Sequence, residues 1–435
     1  MLINFSLENV SSFKTAQNIS MEASTLKKDS FLDENLIKNK DKNYVKTVLM
    51  YGANASGKTN FIKSISKLKR IVLSSHDLNH NFITDISPFL LATGDIQPSV
   101  FEVTFIENEI KYRYGLAISL GKIEEEWLYF NENIRETSLF YREEQNIEFN
   151  KSSFDEANIF VDESSSGVGV IKRTSAHTPF ISTLAAFESL HSTNVINFFK
   201  KINILSGIED SQFRDYTFDL INKDSNFKKW ALGVLKDFYI EDINISENQI
   251  NDLEQIKTDN DDINNLLESL RKVATSATSK TVEIIKRIPF TEDRISFPLD
   301  LESSGTQKIL HLLGPFYDTF KKGNILLIDE FDSKFHTLLS KEIFKLFHKH
   351  SDTSQMIVNV QDTNLMDTSI FRRDQIWFVH KDPIVQDSQI YSLMEYKNII
   401  KESYSEDYLS GDFDAIPLFN SFQSVKDLME SNDEE

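Results

Sequence analysis

Apolar and polar residues follow one another along this chain in three rhythms, and each predicts a different kind of element. The first is a short, nearly unbroken apolar run. Residues 45–50 ("VKTVLM"), 323–330 ("GNILLIDE"), 355–360 ("QMIVNV") and 375–379 ("QIWFV") have this form, which suits parallel strands buried on both faces. The second is a partial alternation across residues 100–165. There "FEVTFI", "KYRYGLAISL", "EEEWLYF" and "TSLFYREE" are parted by Glu, Asn and Gly turns, as in an antiparallel meander. Residues 1–24 read as short strands about a turn at Ser11 and Ser12. The third rhythm is helical. Phe61, Ile62, Ile65, Leu68 and Val72 share one face, as do Ile263, Leu266, Leu267 and Leu270, and residues 180–286 read as mostly helical. Residues 25–44 read as a polar loop, 162–170 ("DESSSGVGV") as a flexible connection, and the acidic end as a disordered tail.

Between the first apolar run and the first helical face lies a stretch that carries chemistry. Residues 50–60 read "MYGANASGKTN", with the spacing G-x-x-x-x-G-K-[ST] over 52–59. Gly52 and Gly57 let the backbone bring its N–H groups round a phosphate, which a side chain would block. Lys58 supplies a point charge for the β- and γ-phosphates, and Thr59 a hydroxyl for Mg²⁺. Ala53, Asn54, Ala55, Ser56 and Asn60 complete the candidate binding segment. A strand before it and a helix after it would aim free helix N–H groups at the phosphate.

Two further stretches extend the site. In "NILLIDEFDSKFH" (324–336) an apolar strand carries Asp329 to its carboxyl end, where an acid holds Mg²⁺ through water, opposite Thr59. Glu330 follows, placed as general base for an attacking water. In "LESSGTQKIL" (301–310), Ser304, Gly305, Thr306 and Gln307 open an amphipathic helix. That arrangement serves as an anion site or as a plain N-cap, a serine with a glutamine three residues on.

Composition narrows the picture. With 435 residues the chain has room for two or three domains, or one with large insertions, and 40% hydrophobic residues suffice for a sizeable core. It has no eighteen-residue apolar run, so no helical membrane span is expected. The opening "MLINFSLENV" has no basic-then-apolar pattern, so no secretory signal is expected. Cysteine is absent, which excludes disulfides and thiolate metal sites, and a cytoplasmic setting is expected. The net charge of −20 repels nucleic-acid phosphate on average and reads as solubility. Residues 241–268, with nine acids and one lysine, read as a solvated helical arm. Lys63, Lys67, Lys69 and Arg70 read as a solvated basic face, the alternative being a DNA or partner patch. His76 and His80 are four apart but lack the glutamate of H-E-x-x-H, and His348 and His350 point to different faces, so zinc is not expected. "DFDAIP" (412–417) holds Asp-x-Asp, but too little chain follows for a nuclease domain, and it reads as a turn.

The order of these elements resembles the ABC-type ATPase heads, SMC-like and OLD-like branches included. More closely, "FSLENVSSFK", "YGANASGKTNFIKSI", "YRYGL" with "EEWLY", "LESSGTQKIL", "LIDEFDSKFH", "QDTNLMD", "RRDQIWFV" and "DYLSGDFDAIP" are similar to the RloA/AbiLii group of bacterial AAA-like ATPases. Relatives of that group include the ATPase subunits of the Septu and PARIS anti-phage systems. The likeness spans nearly the whole chain and is weakest in 185–290.

The resemblance implies an α/β fold, an ABC-type P-loop ATPase head with an antiparallel β-lobe and a helical insertion. Residues 1–180 would hold the first half of the head and the lobe, 181–290 the insertion, 291–420 the second half and 421–435 an acidic tail. It also implies ATP and Mg²⁺ as cofactors and ATP hydrolysis. Two heads would pair, with Ser304 and Gly305 of one chain reaching the ATP of the other. An abortive-infection role follows, with a partner effector, a nuclease encoded nearby. The group's switch histidine is replaced by Gln361, whose amide donates hydrogen bonds but takes no positive charge, so slow hydrolysis is expected. His380 stands where relatives carry an acid and reads as a surface histidine. A DNA-binding repair ATPase of the SMC/RecF kind and an ATP-gated scaffold with little turnover are the alternative readings.

Overall fold

All four apolar runs become neighbouring strands of one six-stranded sheet. Its order is Ile202–Ser206, Ile325–Asp329, Gln355–Asn359, Thr47–Tyr51, Ile376–Lys381 and Ser388–Ser392, parallel except at the last pair. This is a computed structural model that describes residues 1–25, 32–40, 42–74, 82–92, 94, 97–131, 135–163, 169–172, 174–187, 189–206, 213–249, 278–396 and 404–416. Every residue of Thr47–Tyr51 and Gln355–Asn359 is buried, as strands covered on both faces require. The register sets Met50 beside Asn359 and Ile328 beside Val358. Three adjacent parallel strands therefore end together at Tyr51, Asp329 and Asn359, on the edge where α/β sheets take ligands. The helix Lys58–Ser74 buries the predicted stripe of Phe61, Ile62, Ile65, Leu68 and Val72.

The alternating segments form a nine-stranded sheet. It runs from Val161–Glu163 and Gly169–Ile171 through Asn146–Phe149, Thr137–Glu143, Lys122–Asn131, Ile110–Ser119 and Ser99–Glu107 to Leu2–Glu8 and Gln17–Ser20. All its pairings are antiparallel. The ends of the connection expected at 162–170 are themselves paired strands. Inside this lobe Arg142 and Glu126 form an ion pair at 3.2 Å with both side chains fully buried. Glu126 also accepts from the N–H groups of Phe180 (2.6 Å) and Ile181 (3.1 Å) and from the Tyr114 hydroxyl. These bonds tie the lobe to the helix Phe180–Ala185, whose Ser182 Oγ donates to the Val72 carbonyl at 2.7 Å. The α/β class with an antiparallel lobe thus matches the expectation.

Contacts divide the chain into a larger unit, residues 1–208 with 319–435, and a smaller one, 209–318. The smaller holds the helices Arg214–Lys223 and Ser225–Leu235 and an antiparallel sheet of Asp242–Gln249, Thr278–Arg287 and Arg294–Pro298. This corrects the expectation of helix through 180–286. Ile243 and Ile245 alternate with Asn244 and Ser246, and Val282 and Ile284 flank Glu283, the period of a strand. The compact insert also starts and ends later than residues 181–290. The apolar stripe at Ile263, Leu266, Leu267 and Leu270, the histidines His76 and His80, and the acidic tail lie outside the described residues. Among the described residues no helix is long and apolar enough to cross a membrane.

Candidate functional site

Residues 52–57 join the strand Thr47–Tyr51 to the helix Lys58–Ser74, and packing leaves room for glycine alone at both ends of the loop. A Cβ at Gly52 would stand 2.2 Å from the Val379 carbonyl oxygen. One at Gly57, where φ is +119°, would meet the hydroxyls of Ser388 and Ser12 at 2.6 and 2.8 Å. The loop is wedged against its own neighbours, so its glycines serve close packing of the protein as well as the predicted approach of a phosphate. Ser388 Oγ donates to the Ser56 carbonyl at 2.6 Å, and Asn60 Nδ2 to Ser12 Oγ at 3.0 Å.

A cavity of about 470 Å³ opens over the loop. The predicted residues 54–60, Asp329, Glu330 and Gln361 line it, together with Ser12, Asn359 and Lys381. The predicted Gly52 and Ala53 are not among its lining residues; their carbonyls accept from Lys58 Nζ at 2.5 and 3.0 Å. Burial pulls the Lys58 pKa down, against the opposing pull of Asp329, Glu330 and Asp332. Asp329 Oδ1 accepts from Thr59 Oγ1 at 3.2 Å and from Asn359 Nδ2 at 2.6 Å. Glu330 takes a left-handed φ of +53°, a conformation costing a non-glycine residue roughly 1–2 kcal/mol, and so turns the chain off the strand end. Asp332 Oδ2 then accepts from the N–H groups of Gln361 (2.8 Å) and Asp362 (2.5 Å), binding the Gln361 turn to the segment after Glu330.

Ser304, Gly305 and Thr306 lie in the smaller unit, where Ser304 starts the helix Ser304–Lys322. The cap expected of Ser304 is supplied one residue earlier. Ser303 Oγ accepts from the Thr306 N–H at 3.2 Å, and the Gln307 amide donates to the Glu302 carbonyl at 3.0 Å. Ser304 is left exposed and Thr306 buried. In the basic cluster, Lys69 donates to the Ile202 carbonyl and Arg70 pairs with Asp85 at 2.9 Å. His348 is buried against Thr47 and His350 is exposed, as their spacing predicted. Residues 411–414 form a turn after the helix Tyr404–Leu409.

Asn359, Lys381 and Ser12 escaped the sequence reading. Asn359 left one signal, a polar residue closing an otherwise apolar strand end. Lys381 and Ser12 left none. Lys381 ends a strand paired with Thr47–Tyr51 and stands in register with Ser388, whose N–H donates to the Ser12 carbonyl at 2.8 Å, and these contacts bring both to the loop.

A family model described as an AAA domain, putative AbiEii toxin, type IV TA system, matches residues 48–367, well over half of the chain. No curated protein matches it. Among solved structures the chain is similar to the SMC head domain from Thermotoga maritima, with 14% identity, 90% of this chain and 98% of that chain covered, and a TM-score of 0.40. It is similar to an SmcHead bound to the C-winged helix domain of ScpA (13%, 90% and 97%, 0.44). It is also similar to an Smc head domain with an extended coiled coil bound to the C-terminal domain of ScpA derived from Pyrococcus furiosus (14%, 90% and 96%, 0.40).

Proposed function

The chain belongs to this AAA-domain family, and on that premise we propose that it binds and hydrolyses ATP as the ATPase subunit of an abortive-infection defence system. One observation carries the ATPase reading: a single cavity brings together loop residues 54–59, Asp329 and Glu330, with Thr59 and Asp329 in hydrogen-bond contact.

The residues present fit ATP with Mg²⁺. The loop is wedged against its neighbours, and a helix N-terminus follows it. Ser56 Oγ and Asn359 Oδ1 are buried in the cavity wall with no partner among the described residues. Lys58 and the loop N–H groups bind the β- and γ-phosphates. Thr59 and Asp329 hold Mg²⁺, which supplies charge neutralisation on the phosphates when bound. Glu330 takes the proton of the attacking water, and Gln361 orients from its amide without adding charge, so turnover is slow. Ser304 and Gly305 of a second chain complete the site, which makes the working form a homodimer of heads.

The family description names a putative toxin of a toxin–antitoxin system, and the motif resemblance to the RloA/AbiLii group points the same way. The first supports the abortive-infection setting, and the resemblance supports a head that senses infection and controls a partner effector, a nuclease. The test is to express tagged Glu330→Gln protein with its neighbouring genes, hold it in ATP and identify what is retained. A nuclease in stoichiometric amount supports the reading. Chromosomal DNA with no protein partner refutes it in favour of a repair clamp.

A further inference from the structure

Asn359 belongs neither to the phosphate loop nor to the acidic pair, yet it is 1% exposed, lines the cavity and touches Asp329. We propose that Asn359 is a positioning residue for the metal: it fixes the Asp329 carboxylate through its amide nitrogen and accepts from a metal-bound water through its amide oxygen. This rests on the ATP and Mg²⁺ reading above.

The orientation of the amide follows from chemistry. An ionised carboxylate only accepts, so the nitrogen of Asn359 faces Asp329. The contact is 2.6 Å. The Thr59 hydroxyl reaches the same oxygen. Asp329 Oδ1 therefore holds two donors, and no donor among the described residues reaches Oδ2.

With the nitrogen so placed, Asn359 Oδ1 is left buried and without a donor. Gln355, the other buried amide of this strand, has both of its amide atoms paired with the Leu2 backbone, whereas Asn359 has only one paired. What the oxygen needs is a group that donates and arrives with the ligand. Mg²⁺ keeps several of its waters when bound to protein, and such a water only donates toward a neighbour.

The experiment measures fluorescent ADP binding to the full chain, in EDTA and in Mg²⁺, for the wild type, Asn359→Ala and Asn359→Leu. Leucine keeps the branched shape of asparagine without its polar atoms and serves where the alanine variant melts. In EDTA a folded variant should bind within about twofold of wild type. The gain in affinity that Mg²⁺ brings should shrink by roughly tenfold or more, the scale found when an outer-shell partner of a metal ligand is lost. Mn²⁺ in place of Mg²⁺, read by electron paramagnetic resonance of the bound ion, should show the same weakening. A Mg²⁺ gain equal to wild type, or equal losses in EDTA and in Mg²⁺, overturns the proposal. Wild-type protein that binds no nucleotide, and so cannot be told from Lys58→Ala, overturns the ATP reading and this proposal with it.

Discussion

Replacing Arg142 by methionine keeps much of the buried volume and removes the cation that faces Glu126. Both side chains are fully buried. Glu126 keeps three donors, the N–H groups of Phe180 and Ile181 and the Tyr114 hydroxyl. The carbonyls of Glu144, Thr178 and Ser175, which accept from Arg142 at 2.6, 2.9 and 3.3 Å, lose that donor. Breaking a buried pair from one side costs about 3–5 kcal/mol. The surviving donors to Glu126 pull toward the low end and the three hydrogen bonds lost with the guanidinium toward the high end, so a loss of about 4 kcal/mol is expected. Burial already pushes the Glu126 pKa up against the pull of Arg142 and the donors, and the substitution pushes it further. A carboxyl raised by folding stabilises fully below its unfolded pKa and loses that contribution as pH rises through the folded one. The deficit relative to wild type should therefore be largest at neutral and alkaline pH and shrink as pH falls toward about 5. Urea unfolding followed by tryptophan fluorescence measures it, with Trp127 on the strand next to Arg142, and hydrogen exchange over residues 110–143 locates it. A deficit under about 1 kcal/mol at pH 8, or one independent of pH, refutes the reasoning.

Glu330→Gln should cut ATP hydrolysis by about a hundredfold or more while nucleotide affinity stays within a few fold. Paired heads should then accumulate in ATP, read by light scattering, and a normal rate would remove Glu330 from the role of base. Gly57→Ala places a Cβ on a positive φ and against the hydroxyls of Ser388 and Ser12. It should cost more than about 1 kcal/mol by thermal melting and abolish nucleotide binding, and wild-type affinity would show that the loop holds no phosphate. Burial pulls His348 from 6.5 down to about 3, helped by nearby Lys46. With the folded pKa depressed, stability is intact above 6.5 and falls as pH drops from there toward 3, by up to about 1.4 kcal/mol per pH unit. His348→Gln should remove that slope, and equal slopes in the two proteins would show that the histidine is not the group protonated.

How much of this was legible in the sequence depends on how local each feature is. The phosphate loop, Asp329 and Glu330 could be read because one strand end and one turn place them, and the spacing itself encodes the geometry. The meander could be read because alternation is local too. The sheet in the smaller unit could not. Asp242–Gln249 is mostly polar, with Asp242, Asn244, Ser246, Glu247, Asn248 and Gln249, poor strand material by itself, and becomes a strand by pairing with Thr278–Arg287. Asn359 and Lys381 reach the cavity because their strands pair in register with Thr47–Tyr51, and Ser12 because its carbonyl accepts from the Ser388 N–H, contacts that join segments hundreds of residues apart.

The same register bears on Gln361. The segment 329–332 and the turn 359–362 are bonded at Asn359 to Asp329, at the Phe331 N–H to the Asn359 carbonyl (3.1 Å), and at Asp332 to the N–H groups of Gln361 and Asp362. Two of these three ties engage main-chain atoms of the turn, so the backbone at 361 is placed whatever side chain stands there. Loss of a charged switch residue then removes charge from the cavity but not the connection between Asp329 and the turn. Asp332→Ala deletes two of those bonds without touching the loop, Asp329 or Glu330. Nucleotide affinity in this variant should stay within a few fold of wild type while turnover falls about tenfold. Equal turnover in the two proteins would mean that the turn at Gln361 takes no part in hydrolysis, and that the ties serve the fold alone.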